Sequence, residues 1–476
     1  MANYTFETMT SADAANFTSA DTLTFSSSTL TPADVVVANS GNAFDITTLT
    51  AGGKSLSFPG SALSGANIQF VSSFIAGSGA TLAVGTNDGD EVGVETDSDG
   101  SFIYGFAGND FLASDGSGAS TISGGDGNDI ITLNGSGSVD AGAGNDSVTL
   151  GEDTTDEDSV VVTGGAGNDT ITLNGDAAVT ITGGAGADTV NSNLGTDGLL
   201  NISLGDGNDV ANTGNVSGAT IIEGGAGADF ITGGSSNDRL YGQSAAGGAD
   251  GNDIIEGRNG SDYIQGNAGA DTLDGGNGSD RIFGGADNDT INGDDGNDTV
   301  NGNKGDDIID GGLGNDSLRG GADDDIVNGE DGNDVILGDA GDDEITGGAG
   351  VDILTGGAGN DVFVFAEGDA DVLTIDDETV TDRVTDFSTG DLIDLGFTVE
   401  EVSDAPGLIF TTVDAAFNYA DEANLDAGEV LALTVGTDTY LFYNDEGALG
   451  SVTSAIAFTG VTTLTTDSFV EASVAP

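Results

Sequence analysis

The stretch GGLGNDSLRGGADDDIVNGEDGNDVILGDAGDDEITGGAGVDILTGGAGNDVFV, residues 311–364, divides without remainder into six nine-residue units. Carried upstream to Gly257, the same register gives twelve consecutive units with no insertion. Their consensus is GGxGxDxUx with U apolar, as in GGNGSDRIF at 275–283 and GGAGNDVFV at 356–364. The sixth position is aspartate throughout: Asp262, Asp271, Asp280, Asp289, Asp298, Asp307, Asp316, Asp325, Asp334, Asp343, Asp352 and Asp361. The eighth is filled by Ile264, Leu273, Ile282, Ile291, Val300, Ile309, Leu318, Val327, Ile336, Ile345, Leu354 and Phe363.

Glycine permits positive φ and close backbone approach, so GGxGxD reads as a turn. The x-U-x that follows reads as a short strand pointing one apolar side chain inward. Two units then make a coil of eighteen residues, and stacked coils give two parallel sheets across a core one side chain deep. Such a core offsets chain entropy poorly, and stacked aspartate turns repel one another. A hard cation between turns of successive coils supplies the difference, taking the carboxylates together with main-chain carbonyls. Oxygen-only ligation suits Ca²⁺ better than Mg²⁺, which dehydrates reluctantly and demands octahedral geometry.

Charge requires the same counter-ion. The 476 residues include 82 acidic and seven basic ones, a formal charge of −75, and a compact fold so charged repels itself. That balance excludes nucleic acid and an anionic membrane surface as partners. The chain has no Cys and no His, which removes disulfides, soft-metal sites and the commonest general base. It has no HExxH and no GxSxG with a His partner, and nothing singles out a glycosidase carboxylate pair from the repeat background. The GxGxxG strings inside the array precede no helix and so are not dinucleotide fingerprints. The chain is therefore expected not to be an enzyme. No apolar run is long enough to span a membrane, and residues 1–17 lack the basic and apolar regions of a cleaved signal.

The array resembles the RTX (repeats in toxin) family. A single GGxGND would be weak ground, because such turns occur by chance; twelve in register are not. The resemblance implies an all-β chain built on a right-handed parallel β-roll with calcium between its turns. It also implies export through a type I secretion apparatus and folding outside the cell. Some units depart from the pattern. Asp287 and Asp323 replace glycine at position four, and Arg258, Asn267, Asp294, Asn303, Glu330 and Asp339 replace it at position two. Those turns are expected to be more strained.

Upstream the turn recurs once per coil, as in GGDGND at 124–129 and GGAGND at 164–169. Its aspartates, Asp110, Asp129, Asp146, Asp169, Asp188, Asp209 and Asp229, lie 17 to 23 residues apart. One row of ions is expected here and two farther on, the changeover falling near Asp238 and Asp253. If neighbouring turns share an ion, the 21 aspartates hold roughly 15 to 20 Ca²⁺.

Four regions follow: 1–100, a β-rich N-terminal domain; 101–256, a roll with one motif per coil; 257–364, the regular roll; and 365–476, a β-rich C-terminal cap. The first has strand-like runs at 45–49, 55–58, 67–71 and 81–84, and reads as an irregular solenoid or a small sandwich. The last has strands at 431–435 and 440–443 and a helix near 415–425. Its stretch from Arg383, RVTDFSTGDLIDLGF, resembles the segment that follows RTX arrays, and its tail resembles an uncleaved type I secretion signal. The expected function is an extracellular or cell-surface structural protein, a homo-oligomer or polymer forming a surface layer or fibre. The alternative is an adhesin or ligand-binding rod, with Thr132, Thr149, Thr172 and Thr232 as an outward ridge; strand propensity alone also accounts for threonine there.

Overall fold

The computed structural model describes eight strand backbones within residues 1–100. From 101 to 470 it describes all but short stretches, the longest at 152–158, 193–198, 244–250 and 445–451. The chain forms two compact units, Met1–Arg239 with Gln243–Ala249, and Leu240–Gly242 with Asp250–Pro476. Both are built on a parallel β-solenoid.

In the first unit, one ladder runs from Ser101–Ala107 through Ser120–Asp126, Gly137–Ala143, Ser159–Ala166 and Ala178–Ala185 to Leu200–Asp206 and Thr220–Ala226, each strand parallel to the next. A second runs from Phe111–Ser114 through Ile130–Leu133, Ser147–Leu150, Thr170–Leu173, Thr189–Ser192 and Val210–Asn212 to Phe230–Thr232. Burial alternates along them as the two-residue period requires. Many of these strands insert two apolar side chains, such as Val160 with Val162 and Ile131 with Leu133, all 0% exposed. The core is therefore deeper here than in the nonapeptide section, and it accompanies the single motif per coil. The parallel pairing also takes in strands upstream of residue 101: Thr81–Val84 pairs with Ser101–Ala107, and Glu91–Val94 with Phe111–Ser114.

The second unit is the nonapeptide roll. Its registers run at eighteen residues, Ile264 opposite Ile282 and Leu273 opposite Ile291, so two units per coil is the observed geometry. All twelve eighth-position side chains are at most 1% exposed. The solenoid sheet continues into the C-terminal region, because Asp382–Val384 pairs in parallel with Ile353–Ala358 on one side and with Ser454–Phe458 on the other. Ser454–Phe458 then pairs antiparallel with Asp438–Tyr443, which forms a hairpin with Glu429–Val435. The expected helix is present at Val413–Ala423; its Ala416 and Ala420 pack on Leu431, Phe442 and Ala455. Phe387 bridges repeat and cap, its ring 6.2 Å from Phe363 and 5.3 Å from Phe458. Among the described residues, no helix is long and apolar enough to cross a membrane.

Candidate metal centre

The turns form because positions two and four lie in left-handed backbone. Where glycine is absent the conformation persists, at φ 78° for Arg258, 66° for Asp294, 69° for Glu330, 75° for Asp287 and 82° for Asp323. This folds each hexapeptide tightly enough to bury its sixth residue. All 21 sixth-position aspartates are at most 3% exposed.

They form hydrogen-bonded rows. In the first unit, the main-chain N–H of Asp110 donates to Oδ1 of Asp129, that of Asp129 to Asp146, and so through Asp169, Asp188 and Asp209 to Asp229, at 2.6–2.8 Å. The second unit carries two rows. One runs from Asp253 through Asp271, Asp289, Asp307, Asp325 and Asp343 to Asp361. The other runs from Asp262 through Asp280, Asp298, Asp316 and Asp334 to Asp352. Asp238 lies on the opposite side of the first unit's coil, where Thr220 N–H donates to Oδ1 and Gly234 N–H to Oδ2.

In Asp129, Asp146, Asp169, Asp188 and Asp209, and in Asp280, Asp289, Asp298, Asp307, Asp316, Asp325, Asp334, Asp343 and Asp352, Oδ2 is buried and accepts no hydrogen bond. A buried carboxylate oxygen left so is costly unless a cation meets it. Oδ2 faces the next coil across a space that the first glycine keeps clear. A Cβ on Gly275 would fall 2.7 Å from Asp280 Oδ2 and 2.8 Å from the Gly293 carbonyl oxygen. A Cβ on Gly311 would fall 2.8 Å from both Asp316 Oδ2 and the Gly329 carbonyl oxygen. Carboxylate and carbonyl oxygens thus converge from successive coils, a donor set that fits a hard cation. Among the described residues no group of three acidic side chains is placed to hold a metal, so main-chain oxygens must supply much of the shell. When bound, the ion supplies the positive charge that these rows lack. Of the basic side chains, Arg319 pairs with Asp339 and Arg383 with Asp438.

Burial pushes the carboxyls of Asp146, Asp169 and Asp188 up from 3.8 to about 6, against the downward pull of the N–H from the preceding coil and with neighbouring row aspartates adding to the rise. Asp289, Asp298, Asp325 and Asp334 are pushed up to about 7 by the same causes.

Sequence reasoning missed two members of these rows. The N–H of Asp352 donates to Asp382 Oδ1 at 2.9 Å, and that of Asp361 to Asp391 Oδ1 at 3.2 Å. The available signal was their nine-residue spacing with Val384 and Ile393 two positions on, both 0% exposed. These are two further units, stripped of most glycine and offset by a twelve-residue insertion. Also missed was an outer ladder at position five: Asn315 N–H donates to the Asn297 side chain and Asn333 N–H to that of Asn315, both at 2.8 Å. The threonine ridge is corrected in part. Thr132, Thr149 and Thr172 stand in register, but Asn191 and Asn212 follow them, and Thr232, next in the same column, is 5% exposed and so adds nothing to an exposed ridge.

A β-solenoid whose turns bury rows of cation-seeking aspartates defines a class, the calcium-binding parallel β-rolls. Within it this chain is an RTX repeat protein: the RTX calcium-binding nonapeptide repeat family matches residues 104–136, 161–177, 175–199, 216–245, 247–282, 274–309, 301–336, 328–363 and 337–373. Among solved structures it is similar to the R3 subunit of the Azotobacter vinelandii mannuronan C5-epimerase AlgE6, at 30% identity over 34% of this chain and 81% of that one, with a TM-score of 0.24. A Ca²⁺-dependent, β-helical antifreeze protein from an Antarctic bacterium is 19% identical over 62% of this chain and 88% of that one, with a TM-score of 0.27. No curated protein matches the chain.

Proposed function

We propose that this calcium-binding protein is a secreted, non-enzymatic structural protein that folds on meeting calcium outside the cell and self-associates into a surface layer or fibre. The observation that carries this reading is the rows of buried aspartates. A chain whose core is lined by carboxylates folds poorly in a calcium-poor cytosol and well in millimolar calcium, by mass action. That suits passage, unfolded, through a type I secretion apparatus. On this reading the rows take roughly 15 to 20 Ca²⁺, one between each pair of adjacent motif turns.

Contact between molecules so acidic needs bridging calcium or uncharged surface. The second unit offers the latter: Ile308 and Ile326, 44% and 46% exposed, stand side by side on one sheet. Negative-stain microscopy of the purified chain in millimolar CaCl₂ and in EGTA tests the proposal. Lattices or fibres formed only with calcium, and lost in the Ile308→Asp/Ile326→Asp double variant while its circular dichroism is unchanged, support it. Folded but dispersed molecules at every calcium concentration overturn the assembly and favour the second reading, a ligand-binding rod, for which the stacked Thr132, Thr149 and Thr172 are the observed surface feature.

A further inference from the structure

The two outer faces of the nonapeptide roll differ in charge. On the sheet that runs from Tyr263–Ala268 to Ile353–Ala358, positions seven and nine point outward, and from Tyr263 to Thr355 none of them is acidic. This face carries Arg281 and Arg319 beside Tyr263, Phe283, Val335 and Ile353. Tyr241, Tyr263 and Phe283 form a ladder of rings 5.7 and 5.6 Å apart. On the other sheet, from Ile254–Glu256 to Val362–Val364, the same positions hold no base. They carry Glu256, Asp274, Asp310 and Glu344, with the exposed Ile308 and Ile326. In a chain of formal charge −75, an acid-free face bearing arginine is an exception that the repeat does not demand, since Thr299 fills the position next to Arg281 in the same column.

The two faces also match in spacing. Arg281, Thr299 and Ser317 stand in one column and Arg319 lies two residues beyond Ser317, so the arginines are two strands apart, about 10 Å at the usual strand spacing. Asp310, Asn328 and Thr346 stand in one column and Glu344 lies two residues before Thr346, again two strands away. The chain crosses each coil one way on the first sheet and returns on the second. Two residues forward on one sheet and two residues back on the other are therefore the same displacement. A second copy in the same orientation, shifted along the roll by one and a half coils, sets Asp310 against Arg281 and Glu344 against Arg319 together. The same shift sets Ile308 against Phe283 and Val362 against Leu337, and at positions seven and nine no two like charges meet. Arg319 is also held by Asp339 of its own chain, through Nε and Nη2, with its side chain 51% exposed, so Arg281 is the residue on which the match is best tested.

We propose that this arginine-bearing face docks on the Ile308 face of a second copy in that register. The interface joins unlike surfaces, and copies related by translation alone never close a ring, so repeated docking gives an open filament. Charge selects the face and the register, and the apolar side chains between the ion pairs supply the adhesion. The inference rests on the self-association proposed above and names the two surfaces that meet.

The test is the concentration dependence of assembly of the full chain in millimolar CaCl₂, by sedimentation and negative stain, with circular dichroism checking the calcium-dependent fold of each variant. Arg281→Glu and Asp310→Arg should each raise the concentration needed for assembly by about tenfold or more, because each sets like charges face to face. The two variants mixed, or both substitutions in one chain, should restore assembly. Arg281 and Asp310 lie on opposite sheets of one roll, so such rescue arises only between chains. Wild-type chains that stay dispersed in calcium defeat the self-association itself. Wild-type assembly with Arg281→Glu assembling at the same concentration defeats this inference alone, and loss of binding to polygalacturonate in that variant would give the face to an anionic polysaccharide instead. Should either reversed chain fail to fold, carbodiimide cross-linking of assembled Arg281→Lys decides. A link between segments 275–283 and 302–310 supports the register, and assembly without that link overturns it.

Discussion

At Glu330 and Arg258 an ordinary side chain stands in left-handed backbone, at φ 69° and 78°, where an L-residue costs about 1–2 kcal/mol more than in its preferred region. Glycine relieves that cost, less its own larger loss of freedom on folding. Replacing either residue by glycine should stabilise the calcium-loaded protein by about 1 kcal/mol, read as a higher urea midpoint at unchanged slope. Gly311 makes the converse case, since its Cβ would press on Asp316 Oδ2 and the Gly329 carbonyl oxygen; Gly311→Ala should weaken calcium binding at that turn. At Asp298 the sign of the effect depends on the metal. Asp298→Asn should cost at least one bound ion and lower stability in calcium, yet ease unfolding less, or even favour folding, in EGTA, because it removes a buried like charge. Paired denaturation curves with and without calcium check both signs. The sixth and eighth positions were legible in the sequence because they repeat without a break. Asp382 and Asp391 were not, because the insertion at 365–376 shifts their phase and the loss of glycine hides the turn around them.

Each turn-and-strand unit joins its neighbours through three ladders: the sheet bonds, the inner aspartate row and the outer row at position five. The inner row makes each unit depend on the next, since the N–H of one aspartate is satisfied by the carboxylate one coil on. It also couples the fold to pH. The raised carboxyls, about 7 for Asp289, Asp298, Asp325 and Asp334, lie above their unfolded value near 3.9. The metal-free roll therefore binds more protons than the unfolded chain between these limits, and its stability falls as pH rises through 6 to 7. Calcium needs the ionised form, so the loaded state loses stability only as pH falls through the unfolded carboxyl range near 3.9. Lowering pH from 7.5 to 5.5 should therefore give the chain in EGTA more β-structure, while the calcium midpoint for folding from the unfolded chain, whose carboxyls stay ionised over that range, moves little. A calcium titration followed by circular dichroism at both pH values measures it. At this scale the strand-turn period was plain in the residues. The extra depth of the first unit's core was not read from them, although Val160 and Val162 mark it as two inward positions on one strand.

The formal charge of −75 is a property of the whole chain, and the fold places much of it where water cannot screen it. Salt shortens the reach of exposed charges but does not enter a row of aspartates that are at most 3% exposed. Sodium chloride should therefore fail to replace calcium in folding the protein. Composition pointed to a cation, and the repeat spacing to the sixth-position aspartates that would hold it. Neither announced how the roll ends, because the cap is held by irregular contacts: Phe387 between Phe363 and Phe458, and Arg383 donating to Asp438 and Thr459.

The most direct test of calcium as the partner of the buried aspartate rows is far-UV circular dichroism of the full chain in excess EGTA, followed by stepwise CaCl₂ with a matched MgCl₂ series. The rows predict a largely disordered spectrum without calcium, a cooperative change to β-structure as calcium is added, and little response to magnesium at equal concentration. A full β spectrum in EGTA at pH 7.5, unchanged by calcium, would contradict it.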